Sequence, residues 1–169
     1  MMPTGATRIA QPEPAVDVIV EADVWSAQPE AENVIHRAIE AAMASEGRAG
    51  EVAVMLTDDE SIRQLNAQWR GLDKPTNVLS FPAGDGAGMP GQAHLGDIAI
   101  AFETVAREAQ AENKAFADHL AHLAIHGYLH LIGFDHETDS EADQMESLEV
   151  RILSSLGIAD PYADRNSAD

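Results

Sequence analysis

Five of the seven histidines lie in one run of eighteen residues, HLAHLAIHGYLHLIGFDH, from His119 to His136. At about 100° of rotation per residue, steps of three and four keep His119, His122, His126 and His130 within a stripe of roughly 80° on one helix face. All four are therefore expected to look toward one place. His126 and His130 stand i, i+4, the spacing at which two imidazoles on a helix reach one metal ion, as in sites of the HExxH type. A third ligand must come from another direction, and Gly133, three residues past His130, is the natural residue to end the helix in a left-handed turn. The chain then swings back with His136. The pattern HxxxHxxGxxH supplies three neutral imidazoles and leaves a fourth position for water, which is what a catalytic zinc site with a single Zn2+ ion needs. His122 is also i, i+4 to His126 and stays open as a ligand or as a partner to one. The competing readings are ordinary core or surface histidines, or a structural metal site. The latter is usually closed by four protein ligands, and the chain has no cysteine to provide one.

The rest of the chain predicts an α+β fold, a small mixed sheet of about four strands with packed helices and the metal site at a helix and its following turn. Strands are expected at Val16–Val20, Glu51–Leu56, Asn77–Phe81 and Leu95–Phe102, each with β-branched or alternating apolar residues. Helices are expected over Glu30–Ser45, then after a cap at Thr57 or Asp58, and from Glu103 onward with one interruption near Gly133 and a capping-box restart at Thr138 and Glu141. The segment with Gly84, Gly86, Gly88, Pro90 and Gly91 reads as a mobile surface loop. With 169 residues and 45% hydrophobic content the expectation is one domain over residues 15–162, with loose tails at 1–14 and 163–169. No stretch approaches the roughly 20 apolar residues of a membrane span, so a cytoplasmic protein with no membrane partner is expected.

Lys and Arg number 10 against 29 Asp and Glu, a formal charge of −19. Bulk electrostatics would repel a polyanion, so any nucleic-acid contact has to be local. Metzincin proteases share the histidine spacing and make a zinc-dependent peptidase the first rival. Their general base is a Glu directly after the first His, and here that position is Gly127. Phosphodiester cleavage remains available without that Glu, given a cation near the phosphoryl group, and the loop WRGLDKPTNVLSFP offers Arg70 and Lys74. His122 or Asp135 could orient a ligand imidazole or shuttle a proton. Asn77, Ser80 and Asp97 read as a turn former, a strand residue and a cap.

The strings RGLDKPTNVLSFP (Arg70 to Pro82), LGDIAI (Leu95 to Ile100) and HGYLHLIGFDH (His126 to His136), in that order, resemble the YbeY family of bacterial endoribonucleases. HLAHLAIHG from His119, EADQMESLE in the acidic helix after Thr138, and DPY at Asp160 to Tyr162 agree as well. The similarity spans roughly Glu51 to Tyr162. It implies a single-strand-directed, metal-dependent endoribonuclease that acts in ribosomal RNA maturation, chiefly at the 3′ end of 16S RNA, and in ribosome quality control. By the same resemblance His126, His130 and His136 hold zinc and Arg70 is the functional arginine. Single-stranded or ribosomal RNA is the implied substrate, a ribosome or basic ribosomal protein the partner, and no DNA is expected. A non-catalytic ribosome assembly factor is the alternative from another class.

Overall fold

Residues 13–84 and 94–163 are described by the computed structural model. The elements in order are β1 (Ala15–Val20), a short 3₁₀ turn (Asp23–Ala27), α1 (Ala31–Glu46), β2 (Glu51–Thr57), α2 (Asp59–Arg70), β3 (Val78–Pro82), β4 (His94–Ala101), α3 (Phe102–Ala111), α4 (Phe116–Leu131) and α5 (Asp139–Ser155). The fold is α+β, with a four-stranded mixed sheet in the order β1-β2-β4-β3. β1, β2 and β4 run parallel, and β3 lies antiparallel to β4 at one edge.

Period-two alternation assigns the two faces of the sheet. Val52, Val54 and Leu56 of β2 and Ile98 and Ile100 of β4 are buried with Ile35 and Ile39 of α1 and Leu120, Ile125 and Leu129 of α4. On the opposite face Ile62 of α2 packs with Leu79, Ala99 and Ala101. β1 is the other edge strand, and its Ile19 and Val20 are half exposed. From His119 to Leu131 every residue of α4 is buried except His126 and His130. A helix apolar on all sides belongs inside a core, and α4 packs against α1, α3, α5, β3 and β4. Its two half-open positions are therefore both histidines.

Local signals resolve as follows. Asp58, not Thr57, caps α2, accepting from the Ser61 N–H at 2.9 Å. At α5 the Thr138 hydroxyl accepts from the Glu141 N–H and the Glu141 carboxylate accepts from the Thr138 N–H, each at 3.1 Å. The continuous helix expected from Glu103 is broken, since α3 ends before Asn113 and α4 begins only at Phe116. Asn113 adopts φ 56°, the Lys114 N–H returns to the Ala109 carbonyl at 2.9 Å and the Asn113 N–H to that of Gln110 at 3.2 Å. Asn tolerates this left-handed conformation, and the two bonds close a Schellman turn. Phe102, expected at the end of β4, opens α3 instead, where its ring packs edge-on to Trp25 and beside Phe116. Most of the glycine-rich loop (residues 85–93) and the terminal segments 1–12 and 164–169 lie outside the described residues. Among the described residues no helix is long and apolar enough to cross a membrane.

Candidate metal centre and cleft

The reversal after α4 builds the site. Gly133 has φ 107°, its N–H donates to the His130 carbonyl at 3.1 Å, and the Phe134 N–H reaches back to Leu129 at 3.0 Å. This is the left-handed turn expected at Gly133, and it brings His136 back over the helix. His126, His130 and His136 each present a ring nitrogen, all within 4.8 Å of one another, and the group could hold a metal ion.

Hydrogen bonds fix two of the rings. His126 Nδ1 lies 2.5 Å from Glu149 Oε2, and His130 Nδ1 lies 2.9 Å from the Phe134 carbonyl. A carboxylate and a carbonyl only accept, so both Nδ1 atoms carry the hydrogen. In neutral rings the two Nε2 atoms are then bare, and they stand 3.1 Å apart. Two lone pairs at that separation repel unless a cation lies between them. Burial pushes the His130 pKa down, and the neighbouring His126 and His136 push it further; the Phe134 carbonyl and Asp135 oppose this without reversing it. The ring is thereby kept neutral, as a metal ligand must be.

Glu149 is the residue that the motif reading missed. It is fully buried in α5. Besides His126 it takes His122 Nε2 at 2.9 Å, and the Tyr162 hydroxyl makes a short hydrogen bond to the same oxygen. Burial pushes its carboxyl up, but the hydrogen bonds and charges of His122 and His126 outweigh that and hold it at about 2. The signal was present in the sequence: Met145, Ile152 and Leu153 flank it at i−4, i+3 and i+4, so a carboxylate occupies an apolar stripe.

The four helix histidines do not share one target, contrary to expectation. His119 pairs with Glu108 at 2.9 Å and His122 with Glu149, while only His126 and His130 join His136. A stripe narrow in angle is still long: eleven residues at about 1.5 Å each separate His119 from His130 by roughly 16 Å along the axis. His122 therefore acts on His126 through Glu149. Asp135 accepts from the His136 N–H at 2.8 Å and touches neither fixed ring by a hydrogen bond.

Arg70, the last residue of α2, lines the same cleft of about 600 Å³ as His126, His130, His136, Asn77 and Ser80. Asn66 secures the turn beyond it, its side-chain amide donating to the Lys74 carbonyl at 2.9 Å and its backbone carbonyl accepting from the Leu72 N–H at 3.3 Å. Arg63 adds an ion pair to Asp73 and another to Glu60 at 2.6 Å. Lys74 is exposed and does not line the cleft, so of the two basic residues only Arg70 faces the histidines. Asn77 acts in the turn, accepting from the Val78 N–H at 2.7 Å and donating to Glu108 at 3.0 Å. Asp97 is an exposed strand residue rather than a cap.

At Gly127, where metzincins keep their catalytic Glu, α4 presses on the sheet. Ser80 Oγ donates to the Gly127 carbonyl at 3.0 Å. A Cβ at this position would meet Ile98 Cδ1, Ile98 Cγ2 and Ser80 Oγ, each at 3.2 Å. Any side chain there would require Ile98 and Ser80 to give by a few tenths of an ångström.

Comparison with known proteins agrees with this architecture. A family model described as Endoribonuclease YbeY matches residues 19–157. An "Endoribonuclease YbeY" of Rhodopseudomonas palustris (strain BisA53) is 60% identical over 162 residues, covering 92% of this chain and 94% of the relative. One from Bradyrhizobium sp. (strain BTAi1) is 58% identical over 165 residues, covering 94% and 98%. Among solved structures, the solution structure of TM1509 from Thermotoga maritima superposes with a TM-score of 0.58 at 25% identity, covering 90% of this chain and 93% of that one. The strings around Arg70 and the three clustered histidines are thus part of a match that runs through nearly the whole chain, and the chain belongs to the endoribonuclease YbeY family.

Proposed function

We propose that the chain is a zinc-dependent endoribonuclease that cuts single-stranded RNA, with His126, His130 and His136 as metal ligands, Arg70 as the catalytic cation and residues 15–162 as its one domain. The observation that carries this reading is the convergence of three ring nitrogens within 4.8 Å, with the Nε2 atoms of His126 and His130 3.1 Å apart and both Nδ1 partners being acceptors. Two nitrogens about 2.0–2.1 Å from one zinc lie roughly 3.3 Å apart across a tetrahedral angle. Three neutral imidazoles are a donor set that zinc accepts readily.

A bound zinc ion would supply Lewis acidity toward a phosphoryl oxygen or a water. The chain's own residues do the remaining work. Glu149 and the Phe134 carbonyl keep the proton on Nδ1 of His126 and His130, which aims the other nitrogen of each ring into the cleft. Arg70 offers a planar fork of donors to the charge that grows as phosphorus becomes five-coordinate. Gly127, standing where metzincins keep their Glu, leaves the peptidase reading without its base. Ribosomal RNA as substrate, 16S 3′ end maturation and ribosome quality control are what the family resemblance implies, and a cytoplasmic setting is the expectation from a sequence in which no stretch approaches a membrane span. A charge of −19 suits contact with a basic ribosomal protein.

Elemental analysis of the purified protein, with RNA and casein assays side by side, tests the reading. One zinc per chain, lost in His130→Ala, and multiple turnovers on single-stranded RNA are expected. Full zinc in His130→Ala would remove the ligand assignment. Cleavage of casein alone would restore the peptidase, and RNA binding without turnover under substrate excess would leave an assembly factor.

A further inference from the structure

We propose that Trp69 is a stacking platform for an unpaired base of the RNA strand entering the cleft, an inference that rests on the RNA-cleaving reading above. Trp69 is 64% exposed, more than any other large apolar side chain among the described residues. Its indole is nevertheless held, edge-on to Phe81 with ring centroids 5.9 Å apart and planes at 66°. It occupies the last turn of α2 directly before Arg70, which lines the cleft. Phe81 alternates on β3 with Ser80 and Pro82, which line the cleft, so its own ring lies on the α2 face of the sheet. The indole is thus held on the α2 face beside β3, one residue before Arg70.

The occupant follows from charge and size. With 29 acidic against 10 basic residues, affinity for a polyanion cannot come from the bulk field and needs a short-range term. Stacking is such a term, indifferent to sequence and to net charge. Arg70, which lines the cleft, supplies a local phosphate contact beside it. A protein partner would need several hundred Å² of contiguous apolar surface. Here the exposed large apolar side chains of the turn are one indole and Leu72, 38% exposed, enough for a single base. Bases in a duplex are already stacked on one another, so the platform selects unpaired strands.

The chain has two tryptophans, which makes the test direct. Trp25 is 3% exposed and donates its indole N–H to the Thr57 carbonyl at 2.8 Å, so quenching by a bound base reports Trp69. Titration of the intact zinc-loaded protein with short single-stranded oligoadenylate should quench emission to saturation, and the same length of duplex RNA should not. In Trp69→Leu, which keeps apolar contact with Phe81, KM for single-stranded RNA should rise roughly 5- to 150-fold with the loss falling on KM rather than kcat. Trp69→Tyr should restore most of it. Oligoadenylate binding without quenching, or wild-type KM in a folded Trp69→Leu, would overturn the platform while leaving the nuclease intact. Quenching by a wild-type protein that never cleaves RNA would sink the nuclease reading and keep the platform. The wild-type quench does not depend on any variant folding.

Discussion

Replacing Glu149 with glutamine keeps the side chain's shape and removes one acceptor. Both His126 Nδ1 and His122 Nε2 donate to this carboxylate, at 2.5 Å and 2.9 Å. An amide offers one oxygen and one NH₂, so one of the two rings must face a donor or change tautomer. If His126 changes, its Nε2 takes the hydrogen and can no longer bind a metal. If His122 changes, its Nδ1, which has no hydrogen-bond partner now, becomes a buried N–H without an acceptor. Hydrogen bonds to charged groups contribute about 1.5–3 kcal/mol each, and a stranded buried donor costs about 1–3 kcal/mol. The expected destabilisation is therefore roughly 2–4 kcal/mol, which for a chain of this length lowers Tm by roughly 5–15 °C. Loss of a partner to a ligand imidazole weakens metal binding about 10- to 100-fold. Competition with a chromogenic chelator measures the zinc Kd, and calorimetry of the apo form measures Tm. Asp143→Asn, an exposed change on the same helix, is the control. A Glu149→Gln protein with wild-type zinc affinity and wild-type Tm would refute the reasoning.

Arg70→Glu should fold and load zinc normally, because the side chain is exposed, yet lose RNA cleavage by on the order of 10³-fold or more; retained rates would remove Arg70 from the chemistry. Gly127→Ala introduces a methyl at 3.2 Å from Ile98 and Ser80. The crowding, about 1–3 kcal/mol, should exceed the helix gain of about 0.5–1 kcal/mol. Urea denaturation should show a net loss, and unchanged stability would mean that α4 moves off the sheet at little cost. Burial raises the Glu108 pKa, but hydrogen bonds from His119 and Asn77 bring it below the usual carboxylate range, aided by the charge of His119 and then of Arg107. Its contribution to stability is therefore present above the unfolded value near 4.3 and is lost as pH falls through the lower folded value. Glu108→Gln should flatten the dependence of Tm on pH between about pH 5 and 3, and an acid slope equal to that of the native chain would refute the pairing.

Strands and the histidine cluster were legible because each rests on a short-range rule. Val52, Val54 and Leu56 alternate, and Gly133 permits the left-handed reversal that returns His136. What was not legible depends on contacts across the fold. The stripe angle of His119 and His122 said nothing of which helix lies over each, and that neighbour sends one ring to Glu108 and the other to Glu149. Asn113 could be read as an ordinary exposed helix residue until its positive φ set α3 apart from α4. Gly127 was legible as a missing base, but its reason, the pressure of α4 on Ile98 and Ser80, needed the packed sheet. Lys74 and Arg70 were alike in sequence and differ only because the chain turns between them.

The half-exposed Ile19 and Val20 of β1 have a consequence for handling the protein. Among the described residues this strand pairs on one side only, leaving a row of backbone donors and acceptors open to a second molecule. At neutral pH the charge of −19 drives copies apart before such edges can meet. Near the isoelectric point of about 4.4 that repulsion vanishes, and concentrated salt screens it at any pH. Colloidal stability in mild acid is therefore the weak point of this chain, set by the open edge of β1 among the described residues and the loss of its electrostatic guard.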